Sequence, residues 1–230
     1  MSIPPGVCSF ARWGWHVVSS EHLVPYIIAS VVIILAPGPS VMFTIARAIA
    51  WGRLISFLTV LGNALGMVVL STGVAIGLGP ILQSSALLYS LVQWGGGFYL
   101  VWLGIDAIRH RVVAAVSMTD VSDGAPTKLQ TMRQGFIVGV LNPKAIVFFA
   151  AVLPQFVDTE MGSVTVQLIS LGLIFAALAV IFDGAWGMIA GAAREWLSSS
   201  TRRLEIMRVV GGCVMILLGV VILATTPLPW

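Results

Sequence analysis

Six long apolar runs, separated by polar connections, dominate the chain: roughly 23–46, 54–78, 86–108, 134–153, 164–193 and 208–226. A helix needs about 20 mostly apolar residues to cross a bilayer, so the pattern predicts six transmembrane helices. The only long polar connection runs from Arg109 to Arg133 and includes Asp120, Ser122, Asp123, Gly124, Pro126 and Thr127. It divides the spans into two groups of three. Halves with an odd number of spans must be inserted with opposite polarity, which is the inverted-repeat plan of many secondary transporters. The expected architecture is an all-α integral membrane protein of two inverted three-helix repeats. Its segments are an N-terminal extension (1–21), repeat one (22–110), a cytoplasmic loop (111–133) and repeat two (134–230).

Composition agrees with a membrane setting. Hydrophobic residues make up 58% of the 230 and charged residues 9%, against about 25% charged in soluble domains. Mean hydropathy is +1.02. A net charge of +3, scattered along the chain, excludes a nucleic-acid surface. Basic residues nevertheless cluster by connection. Arg47 and Arg53 follow span one, Arg109, Arg111, Lys128 and Arg133 flank the central loop, and Arg194, Arg202, Arg203 and Arg208 follow span five. The opposite turns hold no charge (Gly79–Ser85) or only acids (Asp158–Glu160). The positive-inside rule then puts the basic loops in the cytoplasm and both termini outside. The first 20 residues are too polar and too broken by Pro and Gly to span, although Trp13 and Trp15 could sit among headgroups. No charged n-region or A-x-A site marks the first run as a cleaved signal peptide.

Proline interrupts the first span of each half. Span one contains Ala36-Pro37-Gly38-Pro39-Ser40, and span four contains Leu141-Asn142-Pro143-Lys144. A proline within a helix removes a backbone hydrogen bond, and in lipid the freed groups must find protein, water or ligand. Gly38 and Asn142 are suited to cap restarted helices whose first residues are Pro39 and Pro143. Each break would present the amide-rich end of a half-helix, a setting for a carboxylate.

Depth can be counted from the basic residues at about 1.5 Å per residue. Pro37 lies roughly 15 Å in from Arg47, Lys144 roughly 16 Å in from Arg133, and Asp183 roughly 16 Å in from Arg194. Half of a ~30 Å hydrocarbon core is ~15 Å, so all three fall near the midplane. Asp183 is the one acid well inside an apolar run. It is either a structural partner for Lys144 or a proton-coupling site. Asn63 is a further candidate for solute contact or a bridge between helices. Gln93 and Tyr99 either line a cavity or are incidental. Asp106 is expected to pair locally, and Trp51, Trp196 and Tyr26 to anchor at the interface. The pairs Gly62 and Gly66, Gly73 and Gly77, Gly135 and Gly139, and Gly187 and Gly191 are expected to let helices approach closely.

Several motifs together carry a family resemblance. They are Ala-Pro-Gly-Pro-Ser (36–40), Tyr99-Leu-Val-Trp-Leu-Gly104, and Gly135-Phe…Leu141-Asn-Pro-Lys-Ala…Phe148-Phe…Leu153-Pro-Gln-Phe156. Over roughly residues 22–226 the chain resembles the LysE/RhtB family of bacterial amino-acid exporters. Ser40 stands where that family's first motif often has Asn. The resemblance implies a carrier in the bacterial inner membrane that exports amino acids by means of the proton motive force, with no cofactor besides that gradient. By resemblance, Pro37, Gly38, Pro39, Asn142, Pro143 and Lys144 match the family's signature positions. Together with Ser40 and Asn63 they form the expected substrate site, with Asp183 as the proton-coupling group.

Other functions fit less well. No GxxxxGK[ST] loop provides for a self-contained ATP-driven pump. Cys8 and Cys213 form no CxxC, and His16, His22 and His110 lie outside the apolar runs, so no metal site and no thiol relay are expected. With no nucleophile–base pair in the bilayer region, an enzyme is not expected. The alternatives are export of a metal cation or other polar metabolite, and a membrane assembly subunit. The expected partners are an amino-acid substrate and the lipid bilayer; a homo-oligomer is compatible with the sequence.

Overall fold

The computed structural model describes residues 20–112, 124–160 and 162–226. Expectations for the N-terminal arm around Trp13 and Trp15, and for Asp120, Ser122 and Asp123 in the central loop, lie outside the described residues. The described part forms α1 (Ser20–Leu35), α2 (Pro39–Ser84), α3 (Ala86–Arg109), α4 (Lys128–Val140), α5 (Pro143–Val147), α6 (Val164–Ala192), α7 (Arg194–Ser198) and α8 (Thr201–Thr225). The chain after α5 continues as a π turn (Phe148–Val152) and a 3-10 turn (Leu153–Phe156). Pro154 supplies a reason for that loosening: it has no N–H to donate, and its ring crowds the carbonyl four residues back. No strand occurs among the described residues.

Four helical stretches are long and apolar enough to cross a membrane: Pro39–Gly77, Leu87–Arg109, Val164–Ala192 and Thr201–Thr225. Lys128–Val140 and Pro143–Phe156, bent by 42°, make a fifth if taken as one broken span, and Glu21–Leu35 is a shorter apolar helix. The difference from the six runs in the sequence arises at span one, which Pro37 and Gly38 split between α1 and the start of α2. Gly52, with φ 84 and ψ −178, bends α2 into a segment 39–51 and a segment 53–84. That backbone region is open essentially to glycine alone.

Other boundaries also shift. Helix α2 runs through Gly79 and Pro80, so only Ser85 separates it from α3, and the expected turn at Gly79–Ser85 shrinks to one residue. Helix α4 begins at Lys128, earlier than read from the sequence, because Thr127 and Gln130 form a capping box. Helix α8 begins at Thr201, so Arg202, Arg203 and Arg208 ride on its first turns instead of in a connection. Charged residues do not end a helix; they only keep those turns out of hydrocarbon.

Small residues set the helix spacing. A Cβ on Gly62 would overlap the Met132 carbonyl, and one on Gly66 the Phe136 carbonyl. From the other side, Gly135 faces the Thr59 carbonyl and Gly139 the Asn63 carbonyl. Thus α2 and α4 cross backbone against backbone, as the paired glycines predicted. Gly187 and Gly191 likewise meet Thr44, Ser56 and Arg53 of α2. The pair Gly73 and Gly77 does not pack: no atom lies within 4 Å of a Cβ built at either. Gly139→Ala should therefore lower stability by about 1–3 kcal/mol through overpacking, whereas Gly73→Ala should not. Thermal unfolding in detergent compares them, and equal melting would contradict the crossing.

The largest apolar cluster contains Tyr26, Phe148, Phe149, Leu168, Leu171 and Phe175. Tyr26 is fully buried and its hydroxyl donates to the Leu171 carbonyl at 2.7 Å, so it is a core residue and not an interface anchor. A buried phenol requires such a partner, and the carbonyl is within its reach. Trp196 is exposed, beneath the Arg203 guanidinium. Asp106 does pair locally, with His110 at 2.9 Å. Gln93 is buried, donating to the Tyr89 hydroxyl, and Tyr99 stacks on Trp102 at a half-exposed surface.

Candidate functional site

The two proline breaks meet. Gly38 precedes α2 as its cap, and its carbonyl accepts from the Met42 N–H at 2.9 Å. Asn142 caps α5: its Oδ1 accepts from the Lys144 N–H at 3.2 Å, with Pro143 in the first turn. Its Nδ2 then reaches across to donate to Ser40 Oγ at 3.0 Å. The Lys144 ammonium donates to the carbonyls of Ile33 (2.8 Å) and Ala36 (2.9 Å). Those carbonyls belong to the last turn of α1 and to the break after it, where the Pro37–Gly38 interruption leaves acceptors without helical donors. Lys144 of the second break thus satisfies carbonyls of the first, and Ser40 beside the first holds the Asn142 side chain that caps the second. The Lys144 charge lies at the C-terminal, negative end of the α1 dipole.

Asp183, on α6, approaches the same place. One carboxylate oxygen accepts from Asn63 Nδ2 at 3.4 Å, and the other is buried without a hydrogen-bond partner, as is Asn63 Oδ1. Lys144 and Asp183 do not come within the 4.0 Å of an ion pair, as Asp106 and His110 do. Lys144 is occupied by carbonyls that a purely electrostatic reading of two opposite charges would overlook. Ser40, Asn142, Lys144 and Asp183 instead share the wall of one enclosed cavity, completed by Ile33, Ile34, Met67, Ala145, Phe148 and Phe175. Its volume is about 10 Å³, room for about one water. An amino acid does not fit until helices separate.

The remaining expected residues surround this cavity. A Cβ on Gly38 would come within 3.3 Å of Lys144 Nζ, and the Pro37 carbonyl packs on Gly211. Pro39 and Pro143 face the other way, into a shallow groove of about 250 Å³ that Ser40 and Asn142 also line. The Ser40–Asn142 hydrogen bond therefore stands between groove and cavity. The amide of Lys144, which the sequence offered as an anion site, is engaged by Asn142 in this arrangement.

Sequence reasoning missed the apolar half of the wall (Ile33, Met67, Phe148 and Phe175) and the carbonyl partners of Lys144. For Phe148 a signal exists, since it belongs to the fourth-span motif. Ile33 and Met67 look like any other apolar residue of a span.

The family model described as LysE type translocator matches residues 31–226. A membrane protein of Vibrio cholerae is 29% identical over 198 residues, 84% of this chain and 94% of its own length. The homoserine/homoserine lactone efflux protein of Salmonella typhimurium is 24% identical over 196 residues, covering 85% of this chain and 93% of that protein. The threonine efflux protein of Escherichia coli K12 is 33% identical over 138 residues, 58% of this chain and 65% of that protein. No solved structure matches the chain.

Proposed function

This chain belongs to the LysE type translocator family, and from that premise we propose that it exports a small amino acid from the cytoplasm in exchange for protons. The observation that carries the reading is one buried cavity where two broken helices place Lys144, Asn142 and Ser40 opposite Asp183. A zwitterion has a complementary group for each wall: its carboxylate for the positive field that Lys144 and the half-helix ends supply while Lys144 keeps its carbonyl partners, its ammonium for Asp183. The names of the relatives point to short hydroxylated cargo such as homoserine or threonine.

In this reading α1 with the 39–51 segment of α2 is one broken crossing, and α4 with α5 and its continuation is another. The chain then has six crossings in two inverted repeats, with its basic connections in the cytoplasm and both termini outside the inner membrane. Ionised Asp183 holds the solute's ammonium from the cytoplasmic side. A proton arriving from outside neutralises that carboxyl group and releases the solute outward. The enclosed cavity corresponds to a closed state between the two openings of alternating access, and the aromatic cluster around Tyr26, Phe148 and Phe175 is the plug on the outer side.

Purified protein in proteoliposomes should exchange labelled threonine or homoserine above the level of empty vesicles. An inward proton gradient should accelerate export. Failure to exchange any proteinogenic amino acid or homoserine would overturn the proposal.

A further inference from the structure

A second hydrogen bond joins the same two segments closer to the basic end of the bundle. Arg47 Nη2 donates to Gln134 Oε1 at 2.6 Å. Arg47 lies seven residues beyond Ser40 on α2, and Gln134 lies eight residues before Asn142 on α4. The two segments run antiparallel, so Ser40–Asn142 and Arg47–Gln134 are successive rungs, about 11 Å apart at helical rise. Along these two segments from the basic end toward the cavity, the Arg47 rung comes first.

Arg47 is an unusual residue for a helix surface. It is only 9% exposed. Its guanidinium lies between the Phe43 and Trp51 rings, 4.7 and 4.6 Å from their centroids. Two aromatic faces hold the planar group in one orientation. A guanidinium has five N–H donors, and the one hydrogen bond it makes among the described residues goes to a neutral amide oxygen. A carboxylate offers the guanidinium an opposite charge and two parallel hydrogen bonds, neither of which a single amide oxygen supplies. A carboxylate that reaches Arg47 therefore displaces Gln134.

The face of α2 inward from Arg47 is polar as well. Thr44 is fully buried with its Oγ1 unpartnered, and the Thr44 carbonyl accepts from Ser56 Oγ at 3.1 Å. Ser40, Thr44 and Arg47 follow helical spacing on one side of the segment, leading from the basic end to the cavity wall.

We propose that Arg47 is the first binding point for the solute's carboxylate on the cytoplasmic side, and that binding there releases the Arg47–Gln134 rung to open the path inward. This rests on the export reading above and adds a recruitment site to it. In the resting protein Gln134 competes with the solute for Arg47. Solutes without a carboxylate gain nothing at Arg47 and depend on spontaneous opening of the rung.

The test compares the wild type, Arg47→Gln and Gln134→Ala in inverted membrane vesicles, whose cytoplasmic face meets the medium. The probes are labelled threonine or homoserine, whichever the wild type carries, and the corresponding amide. Arg47→Gln should raise the KM for the amino acid about tenfold, the loss of one charge-assisted contact, without changing the KM for the amide. Gln134→Ala, a change at an exposed position, should lower the KM for the amino acid and not for the amide. Gln134→Ala decides the matter alone if Arg47→Gln does not fold. Equal KM values for the amino acid in all folded variants overturn the recruitment site while leaving export standing. Absence of transport by the wild type overturns both.

Discussion

Asp183→Asn is expected to remove the acceleration of efflux by an inward proton gradient, leaving the rate flat as external pH is lowered. The substituted side chain keeps the shape of the carboxyl group, and its amide oxygen can still accept from Asn63 Nδ2, which now donates to Asp183 at 3.4 Å. What it loses is the ability to take up and give back a proton. The fold should not suffer. A carboxylate at the midplane costs about 2.5–3.5 kcal/mol on insertion scales, and one oxygen of Asp183 is buried without a partner. The variant should melt no lower than the wild type. Efflux measured against imposed pH gradients, beside a thermal melt, checks both halves. A gradient response equal to the wild type would eliminate Asp183 as the coupling group.

Lys144→Met should abolish transport and destabilise the protein by a net of about 2 kcal/mol. Two effects oppose each other. Removing an ammonium from the midplane relieves about 3 kcal/mol. Losing two charge-assisted bonds forfeits about 1.5–3 kcal/mol each, here those to the Ile33 and Ala36 carbonyls. The bonds win, because Pro37 has no N–H to offer the Ile33 carbonyl in place of the ammonium. Asp183, on the same cavity wall, also loses its nearby counter-charge. Lys144→Met combined with Asp183→Asn should therefore recover part of the lost stability, a coupling that a double-mutant cycle measures. A Lys144→Met protein as stable as the wild type would show that the carbonyls of the first break are satisfied some other way.

These two residues divide the labour at the site. Lys144 is committed to the scaffold: it closes the end of α1 and, through Asn142 and Ser40, the two breaks hold each other. Asp183 is held loosely by one long hydrogen bond and retains an unused oxygen. A group that must change partners during a cycle is better served by the second arrangement, since each strong bond would have to be broken on every turnover. The paired glycines on α2 and α4 add a surface with little side-chain interlock along which these helices meet.

Much of this was legible in the residues alone. Apolar runs and the positions of prolines are local properties: in lipid a helix must form, and it breaks at Pro37-Gly38-Pro39 and Asn142-Pro143 while Pro25 and Pro80 are carried within helices. The caps at Gly38 and Asn142 and the close crossing through Gly62, Gly66, Gly135 and Gly139 belong to that class. Local pattern misplaced what depends on neighbours. The open space at Gly73 and Gly77 and the burial of Tyr26 were each decided by what packs alongside, whereas the early start of α4 had a local signal, the capping box of Thr127 and Gln130, that the apolar pattern passes over. The same holds at the site. That Lys144 serves carbonyls more than one hundred positions away instead of Asp183 could not be read from spacing, because both acceptors are backbone atoms present at every residue. Only the assembled helices bring the two breaks side by side, and only that proximity determines which charge is taken up by backbone carbonyls and which keeps an oxygen without a partner.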